Sequence, residues 1–332
     1  MTDLKGSDYV LAGDIGGTKT SLGIFKRGKR RPAFKYSRTY PSMEFKGLED
    51  IIELFLETYS LSVTKACFGV AGPVQNGKCK TTNLPWQVHE NRIERRFGFK
   101  RVRLLNDLSA MALSIPCLMK NELFTINAVK VPKGQNIGLI APGTGLGESL
   151  LFYRKGEYFP IPSEGGHTDF SPRNEIEMKL LRYLRRQYGH VSMERVLSGP
   201  GIFSIYKFLR STGSYKEPKW LTNKIRGMDP ARLITETALN KGQKLCMKTL
   251  DFFVSILGAA AGNLALTGMT TGGVYLGGGI PQKILPKFKE RTFMDSFTDK
   301  GRFKSLMKRI PVHVVLNDRA PLLGAAIGAF SE

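Results

Sequence analysis

The stretch VLAGDIGGTKTSLGIF, residues 10–25, places an acid and two glycines between two apolar runs. Tyr9–Gly13 reads as a buried strand and TSLGIF as a second one. The connection DIGGTK is short, which predicts an antiparallel hairpin. That order excludes two phosphate motifs. The dinucleotide fingerprint and the P-loop both run from strand into helix, and the P-loop needs glycine directly before its lysine, where Thr18 stands. Two readings of the turn remain: a tight turn that needs glycine, or a loop whose backbone amides form a nest for an anion.

The pattern recurs in NIGLIAPGTGLGESLLFY, residues 136–153. IGLIA and SLLFY read as strands around PGTGLG, where Gly143, Gly145 and Gly147 leave the backbone open to a ligand. Thr18 and Thr144 would add hydroxyl donors. Two such hairpins about 130 residues apart predict two similar halves facing one polyphosphate. TKACFGVAGPV and RVRLLND read as further strands of the first half. GLEDIIELFLETYS is a helix with Leu48, Ile51, Ile52 and Phe55 on one face. The second half begins near Ile115-Pro116. There a helix is predicted from a Ser171 cap with Pro172 in its first turn, with Ile176, Leu180, Leu181 and Leu184 as its stripe and Gly189 as its end. A strand VYL lies in GGVYLGGGIP after a long helix, and DRAPLLGAAIGAF reads as a small-residue helix that packs back on the first half. The expected division is residues 1–115 plus 318–332 as a small α/β domain and 116–317 as a large one.

The chain has 332 residues, enough for two domains of ordinary size, and 42% of them are hydrophobic. Mean hydropathy is −0.17, as for a globular chain without a membrane domain. MTDLKGSDYV lacks a signal architecture, and the expected home is the cytoplasm. FFVSILGAAAGNLALTGM, residues 252–269, approaches the length of a membrane span but carries Asn263, Ser255 and Thr267, which favours a buried core helix. Four scattered cysteines offer neither zinc spacing nor a disulfide framework. The formal charge of +22 is unusual. It concentrates in FKRGKRRPAFKYSR, whose seven basic residues meet no acid within the run. Affinity for anions follows, read as a solvated basic face rather than a dedicated nucleic-acid site.

LLNDLSAMALSIP ends a strand at Asn106-Asp107 and starts a helix. Asp107 is either the helix N-cap or a carboxylate facing a ligand at the carboxyl end of a strand, where a general base would stand. PSEGGHTDF sets Glu164 and His167 around a glycine pair. Metal ligation through Glu-x-x-His needs two copies on helices, so the pair suits hydroxyl groups, or is an incidental surface loop. In HVSMERVLSGPG, Glu194 in isolation reads as a solvated helix residue, followed by a glycine turn at Gly199-Pro200-Gly201.

Together, GDIGGTK, GVAGP, TTNLPW, LLNDLSA, APGTGLG, SEGGHTDFSP, GHVSMERVLSGPG, GGVYLGGGI, KGRFKSLMKRIPV and PLLGAA resemble the bacterial-type glucokinases, in order and spacing, from Gly13 almost to the end. The resemblance implies a two-lobed actin-like, ribonuclease H-like ATPase fold with ATP and sugar in the interdomain cleft. It implies transfer of a phosphoryl group from ATP to the 6-hydroxyl of D-glucose with Asp107 as base. Asn83, Asn106, Asp107, Glu164, His167 and Glu194 would bind the sugar. Asp14, Gly16, Gly17, Thr18, Lys19, Gly143, Thr144, Gly145, Gly277, Gly278 and Gly279 would surround ATP, with Asp14 near Mg2+, directly or through water. A homodimer is implied, without membrane or specific nucleic-acid partner. Lys19 stands where many members carry asparagine, and resembles the related repressor-and-kinase sugar kinases, whose cysteine zinc motif does not appear here. The alternatives are a related hexose or N-acetylhexosamine kinase, a sugar-independent actin-like ATPase, and a basic nucleic-acid-binding regulator, which would want a helix-turn-helix extension.

Overall fold

Both glycine turns join antiparallel strands, as their lengths require. In this computed structural model, which describes residues 8–59 and 61–331, Asp14 pairs with Ser21 across the first hairpin and Ile140 with Glu148 across the second. The chain divides into two units. One holds the described residues of Met1–Glu122, with Tyr158–Pro162 and those of Asn317–Glu332; the other holds Leu123–Glu157 and Ser163–Leu316.

The first unit contains β1 (Tyr9–Ile15), β2 (Lys19–Lys26), β3 (Ala33–Pro41), β4 (Lys65–Val70), the short strands β5 (Val74–Gln75), β6 (Lys78–Lys80) and β7 (Gln87–His89), and β8 (Arg101–Asn106). Its main sheet has the order β3-β2-β1-β4-β8, and β5-β6-β7 form a small sheet of their own. β1, β4 and β8 run parallel, so Ile15, Val70 and Asn106 fall in one row at their carboxyl ends. Helices α1 (Leu48–Thr58) and α2 (Glu90–Phe97) lie in the connections between these parallel strands, and α3 (Asp107–Ser114) follows β8. The predicted stripe of α1 is fully buried at Leu48, Ile51, Ile52 and Phe55, packed with Leu22 and Phe68. Each such side chain contributes roughly 1.5–3 kcal/mol relative to exposure. The helix Ala320–Phe330 lies against α3, β1 and β4, the packing its small residues predict. In the basic run, Lys26, Arg27, Lys29, Arg30, Lys35 and Arg38 are exposed. Arg31 instead meets an acid that the local sequence does not show, Glu122, at 2.9 Å.

The second unit repeats the arrangement. With β9 (Leu123–Asn127), β10 (Ile137–Pro142), β11 (Leu146–Arg154), β13 (Gly273–Leu276) and β14 (Val312–Val315), its strands run in the order β11-β10-β13-β14-β9. As in the first sheet, a hairpin is followed by parallel neighbours, here β10, β13 and β14. The helices include α4 (Glu175–Tyr188), α5 (Gly199–Ser211), α6 (Lys219–Ile225), α7 (Pro230–Lys241) and α8 (Lys244–Gly268). α8 is long and apolar enough to cross a membrane, but 72% of its most apolar window is buried within the protein, where it joins the core with Phe253, Leu257 and Leu264.

Three local expectations need correction. α4 starts at Glu175, not at Ser171-Pro172, because the Asn174 side chain accepts from the Glu177 amide at 3.0 Å and makes the cap there. Gly189 ends it in a positive-φ conformation, as expected. Of its stripe, Leu180 and Leu184 are buried, whereas Ile176, in the first turn at the helix end, is 43% exposed. Gly199-Pro200-Gly201 is not a turn but the first turn of α5, capped by Ser198 through the Gly201 amide at 3.1 Å.

Candidate active site

In the first unit, the carboxyl ends of β1, β4 and β8 gather the candidate residues. The turn after β1 closes through a hydrogen bond from the Gly16 amide to the Lys19 carbonyl at 3.0 Å. Ser42 braces it from outside: its amide donates to the Thr18 carbonyl at 3.0 Å and its hydroxyl to the Gly16 carbonyl at 2.8 Å. The same hydroxyl lies 2.9 Å from that of Thr20, and both residues are fully buried. Gly16 and Gly17 are thus held in shape by a serine 26 residues away. Thr18 and Lys19 are exposed at the tip. Asn83 packs over Gly17 so closely that a Cβ there would lie 2.6 Å from the Asn83 Cβ.

Asn106, not Asp107, caps α3. Its Oδ1 accepts from the amides of Leu108 at 3.0 Å and Ser109 at 3.4 Å, while its Nδ2 donates to the Gly72 carbonyl at 3.3 Å. Asn106 is therefore committed to the backbone on both sides. Asp107 is the first helical residue, and its Oδ1 accepts from the Leu108 amide at 2.8 Å. With the capping role taken by its neighbour, Asp107 is placed at the strand end by the helix start rather than used to make it. Asp14 lies within its field: burial, reinforced by the Asp107 carboxylate, pushes the Asp14 carboxyl up to about 6. A cation would offset that repulsion. Mg2+ is commonly held by one or two carboxylates together with substrate phosphates, so Asp14 fits such a role. No cluster of three or more metal-ligating side chains occurs among the described residues.

In the second unit, Gly143 to Gly145 cap the end of β10. The Gly143 amide donates to the Gly145 carbonyl at 2.8 Å, and the Gly143 carbonyl accepts from the Gly199 amide at 2.8 Å. The N-terminus of α5, with its partial positive charge, is thereby joined to the turn. From the other side the Gly277 amide donates to the Ile140 carbonyl at 2.9 Å. Gly278 has a φ of 77° and would bring a Cβ within 2.5 Å of the Pro142 carbonyl oxygen. Gly277 and Gly278 therefore converge with the Gly143 turn; Thr144 and Gly279 are exposed beside it.

Glu164 and His167 stand on a single 3-10 turn, both exposed, with the His167 amide donating to the Glu164 carbonyl at 2.9 Å. Glu194 is not on a long helix but on a second 3-10 turn, Met193–Arg195. The two turns are stitched together by the Met193 amide on the Thr168 carbonyl at 2.8 Å. Glu194 then reaches the glycine turn, its Oε2 accepting from the Leu146 amide at 2.9 Å. Glu164, His167 and Glu194 are thus brought together beside Gly145.

The glucokinase family matches residues 11–331. The chain belongs to that family. A glucokinase of Nostoc punctiforme is 39% identical over 335 residues, covering 96% of this chain and 98% of its own. The crystal structure of a glucokinase from an Antarctic psychrotroph is similar at a TM-score of 0.87 and 31% identity, over 97% of this chain and 99% of that one. A glucokinase from Balamuthia mandrillaris, solved in complex with glucose, shares the fold at a TM-score of 0.80 and 19% identity, over 99% and 96% of the two chains. The fold is the two-lobed actin-like type.

Two groups that support this candidate site carry no sequence signal. Ser42 lies in YPSMEF, which shows no motif. Glu148 lies in the second strand of a hairpin, where alternation alone would make it a polar face residue. It sits beneath the Glu164–His167 turn, where a Cβ on Gly165 would overlap its carboxylate. Burial pushes the Glu148 carboxyl up to about 7.

Proposed function

We propose that this chain is a glucokinase that transfers the γ-phosphoryl group of ATP to the 6-hydroxyl of D-glucose. The observation that carries the reading is Asp107, set at the first position of α3 while Asn106, in one strand row with Ile15 before the glycine turn, makes the cap. Asp107 takes the proton of the 6-hydroxyl as that oxygen attacks the γ-phosphorus. Glu164, His167 and Glu194 bind the remaining hydroxyls and fix the sugar's orientation. Asn83 and Asn106 bind alongside them, Asn106 through the Nδ2 hydrogen that Gly72 does not take.

The backbone amides of Gly16–Lys19 and Gly143–Gly145 hold the phosphates, and Gly277–Gly279 lie under the adenosine. In a loose phosphoryl-transfer transition state such positioning and electrostatics supply most of the catalysis. Asp14 holds Mg2+, directly or through water. When bound, that ion neutralises charge on the phosphate oxygens. We infer a cytoplasmic homodimer, with no specific nucleic-acid partner for the basic face.

The test is ADP release from Mg-ATP with glucose, mannose, fructose, N-acetylglucosamine or no sugar. ADP formed strictly with glucose is the expected result. Strict dependence on another of these sugars identifies a related hexose or N-acetylhexosamine kinase instead. Equal release without sugar makes the chain an ATPase and overturns the proposal.

A further inference from the structure

A cavity of about 640 Å³ opens in the second unit behind the Glu164–His167 turn. It is walled by Glu148, Thr168 and Arg173 on one side and by Asn263, Thr267 and Lys300 on the other. Glu164, His167, Glu194 and the glycines of the nucleotide turns take no part in its lining. Its volume falls in the range of roughly 300–1,000 Å³ that small-molecule sites occupy.

The charges in this cavity are unevenly matched. Arg173 is satisfied: it donates to both oxygens of the buried Glu177, at 2.6 and 3.2 Å, and to the Ser255 hydroxyl at 2.8 Å. Lys300 is held differently. Its half-buried ammonium donates to the Ala259 carbonyl at 3.1 Å and to the Asn263 Oδ1 at 2.6 Å. Both are neutral oxygens, which leaves one N–H and the charge itself unspent. Burial and the positive field of Arg173 lower the Lys300 pKa, against a weaker pull from Asp299. Of the remaining acids, Asp169 lies at the rim, 2.7 Å from His190, and the Glu148 carboxyl is pushed up to about 7 by burial. A half-buried cation resting on neutral oxygens beside a second cation is costly unless an anion arrives to face it. The hydroxyls of Thr168 and Thr267 and the carboxyl of Glu148 add polar groups suited to hydroxyls of a ligand.

We propose that this cavity is a second ligand site, separate from the catalytic one, for the phosphomonoester of a small polyol. The phosphate faces Lys300 and the polyol hydroxyls meet Thr168, Thr267 and Glu148. A phosphate carrying close to two negative charges matches a place where one cation is unpaired and a second lies near. Glu148 also fills the space under Gly165, so an occupant that engages it bears on the turn carrying Glu164 and His167. That coupling, unlike the binding, rests on the proposed sugar-binding role of those two residues.

Calorimetric titration of the full chain with glycerol 3-phosphate tests the binding, with glycerol and inorganic phosphate as comparison ligands. A saturable heat is expected for glycerol 3-phosphate, none for glycerol, and weaker binding for phosphate alone. Saturating glucose or ATP should leave the binding in place, which separates this site from the proposed catalytic one. Lys300→Gln should weaken binding at least tenfold, and Asn263→Leu, which removes the acceptor that aims the ammonium, should weaken it in the same direction. No saturable heat, displacement by glucose or ATP, phosphate binding as tightly as the ester, or an unchanged Kd in both variants overturns the proposal. Calorimetry reads the site whether or not the chain phosphorylates glucose. A shift of glucose KM by glycerol 3-phosphate, lost in Lys300→Gln, reads the coupling.

Discussion

The Glu194 carboxylate accepts from the Leu146 amide at 2.9 Å, in a space that exists because residue 145 is glycine. A Cβ on Gly145 would lie 2.5 Å from Glu194 Oε2. The glycine turn and the acid thus share one volume, and the turn's lack of side chains serves the acid as well as any phosphate.

Gly145→Ala should therefore act on the sugar. The added methyl expels the Glu194 carboxylate and breaks its bond to Leu146. The displaced carboxylate then no longer reaches its sugar hydroxyl, and losing that hydrogen bond to a charged group costs about 1.5–3 kcal/mol, roughly a tenfold to hundredfold rise in glucose KM. Gly143→Ala is the comparison, because a Cβ there meets nothing within 4 Å, and its glucose KM should stay near wild type. Steady-state kinetics with glucose varied decides; equal KM values in the two variants would remove Glu194 from the sugar site.

Asp107→Ala should leave the fold intact and cut turnover. The α3 cap belongs to Asn106, so removing the Asp107 carboxylate takes away its bond to the Leu108 amide but leaves the cap in place. Removal of a general base typically costs ~10²–10⁴-fold in rate. The expected result is that loss of kcat with a melting temperature close to wild type. A folded variant that keeps near-normal turnover sinks the assignment of Asp107 as base. Asn106→Ala, by contrast, should lower stability by about 1 kcal/mol through loss of the cap.

What could be seen in the sequence was what short-range physics writes there. The hairpins were legible because glycine turns and apolar strands are neighbours in the chain, and α1 because its stripe repeats within eleven residues. The start of α4 was misplaced because Ser171-Pro172 and Asn174 both carry capping chemistry, and only the hydrogen bond to the Glu177 amide chooses between them. Ser42 and Glu148 were invisible for another reason. Their partners, Gly16 and Gly165, lie 26 and 17 residues away, and no local pattern marks a serine or glutamate for such contacts. The Arg31–Glu122 pair was hidden in the same way.

Glu148 should make stability fall as pH rises. Its carboxyl titrates near 4.5 when exposed in the unfolded chain and at about 7 in the folded protein. Between those values the folded state holds the proton more often than the unfolded one, so the stability that this group contributes is full below about 4.5 and lost as pH climbs through about 7. The shift sets an upper limit of about 3 kcal/mol on that loss. Glu148→Gln carries no titrating proton and should lack this part of the slope, so it gains on wild type from pH 5 to pH 8. Urea unfolding at both pH values measures it; parallel slopes in the two proteins would falsify the burial argument.

Gly324 is where the C-terminal helix packs on α3, the helix that starts at the proposed base. A Cβ at this position would overlap the backbone carbonyl oxygen of Ala110 in α3, and that oxygen cannot rotate away as a side chain could. The helix Ala320–Phe330 must therefore back off if residue 324 gains a methyl. Its neighbours leave little room, since Leu323, Ala325 and Ala326 are at most 5% exposed. Overpacking of this kind typically costs about 1–3 kcal/mol. Gly324→Ala should lower the unfolding free energy by that amount, read from the denaturant midpoint. α3 begins at Asp107, so a displaced α3 also carries the base away from its position. The same variant should then lose kcat more than it loses glucose affinity, although residue 324 touches no substrate. A stability loss with unchanged kcat would mean that α3 holds Asp107 in place without support from the C-terminal helix.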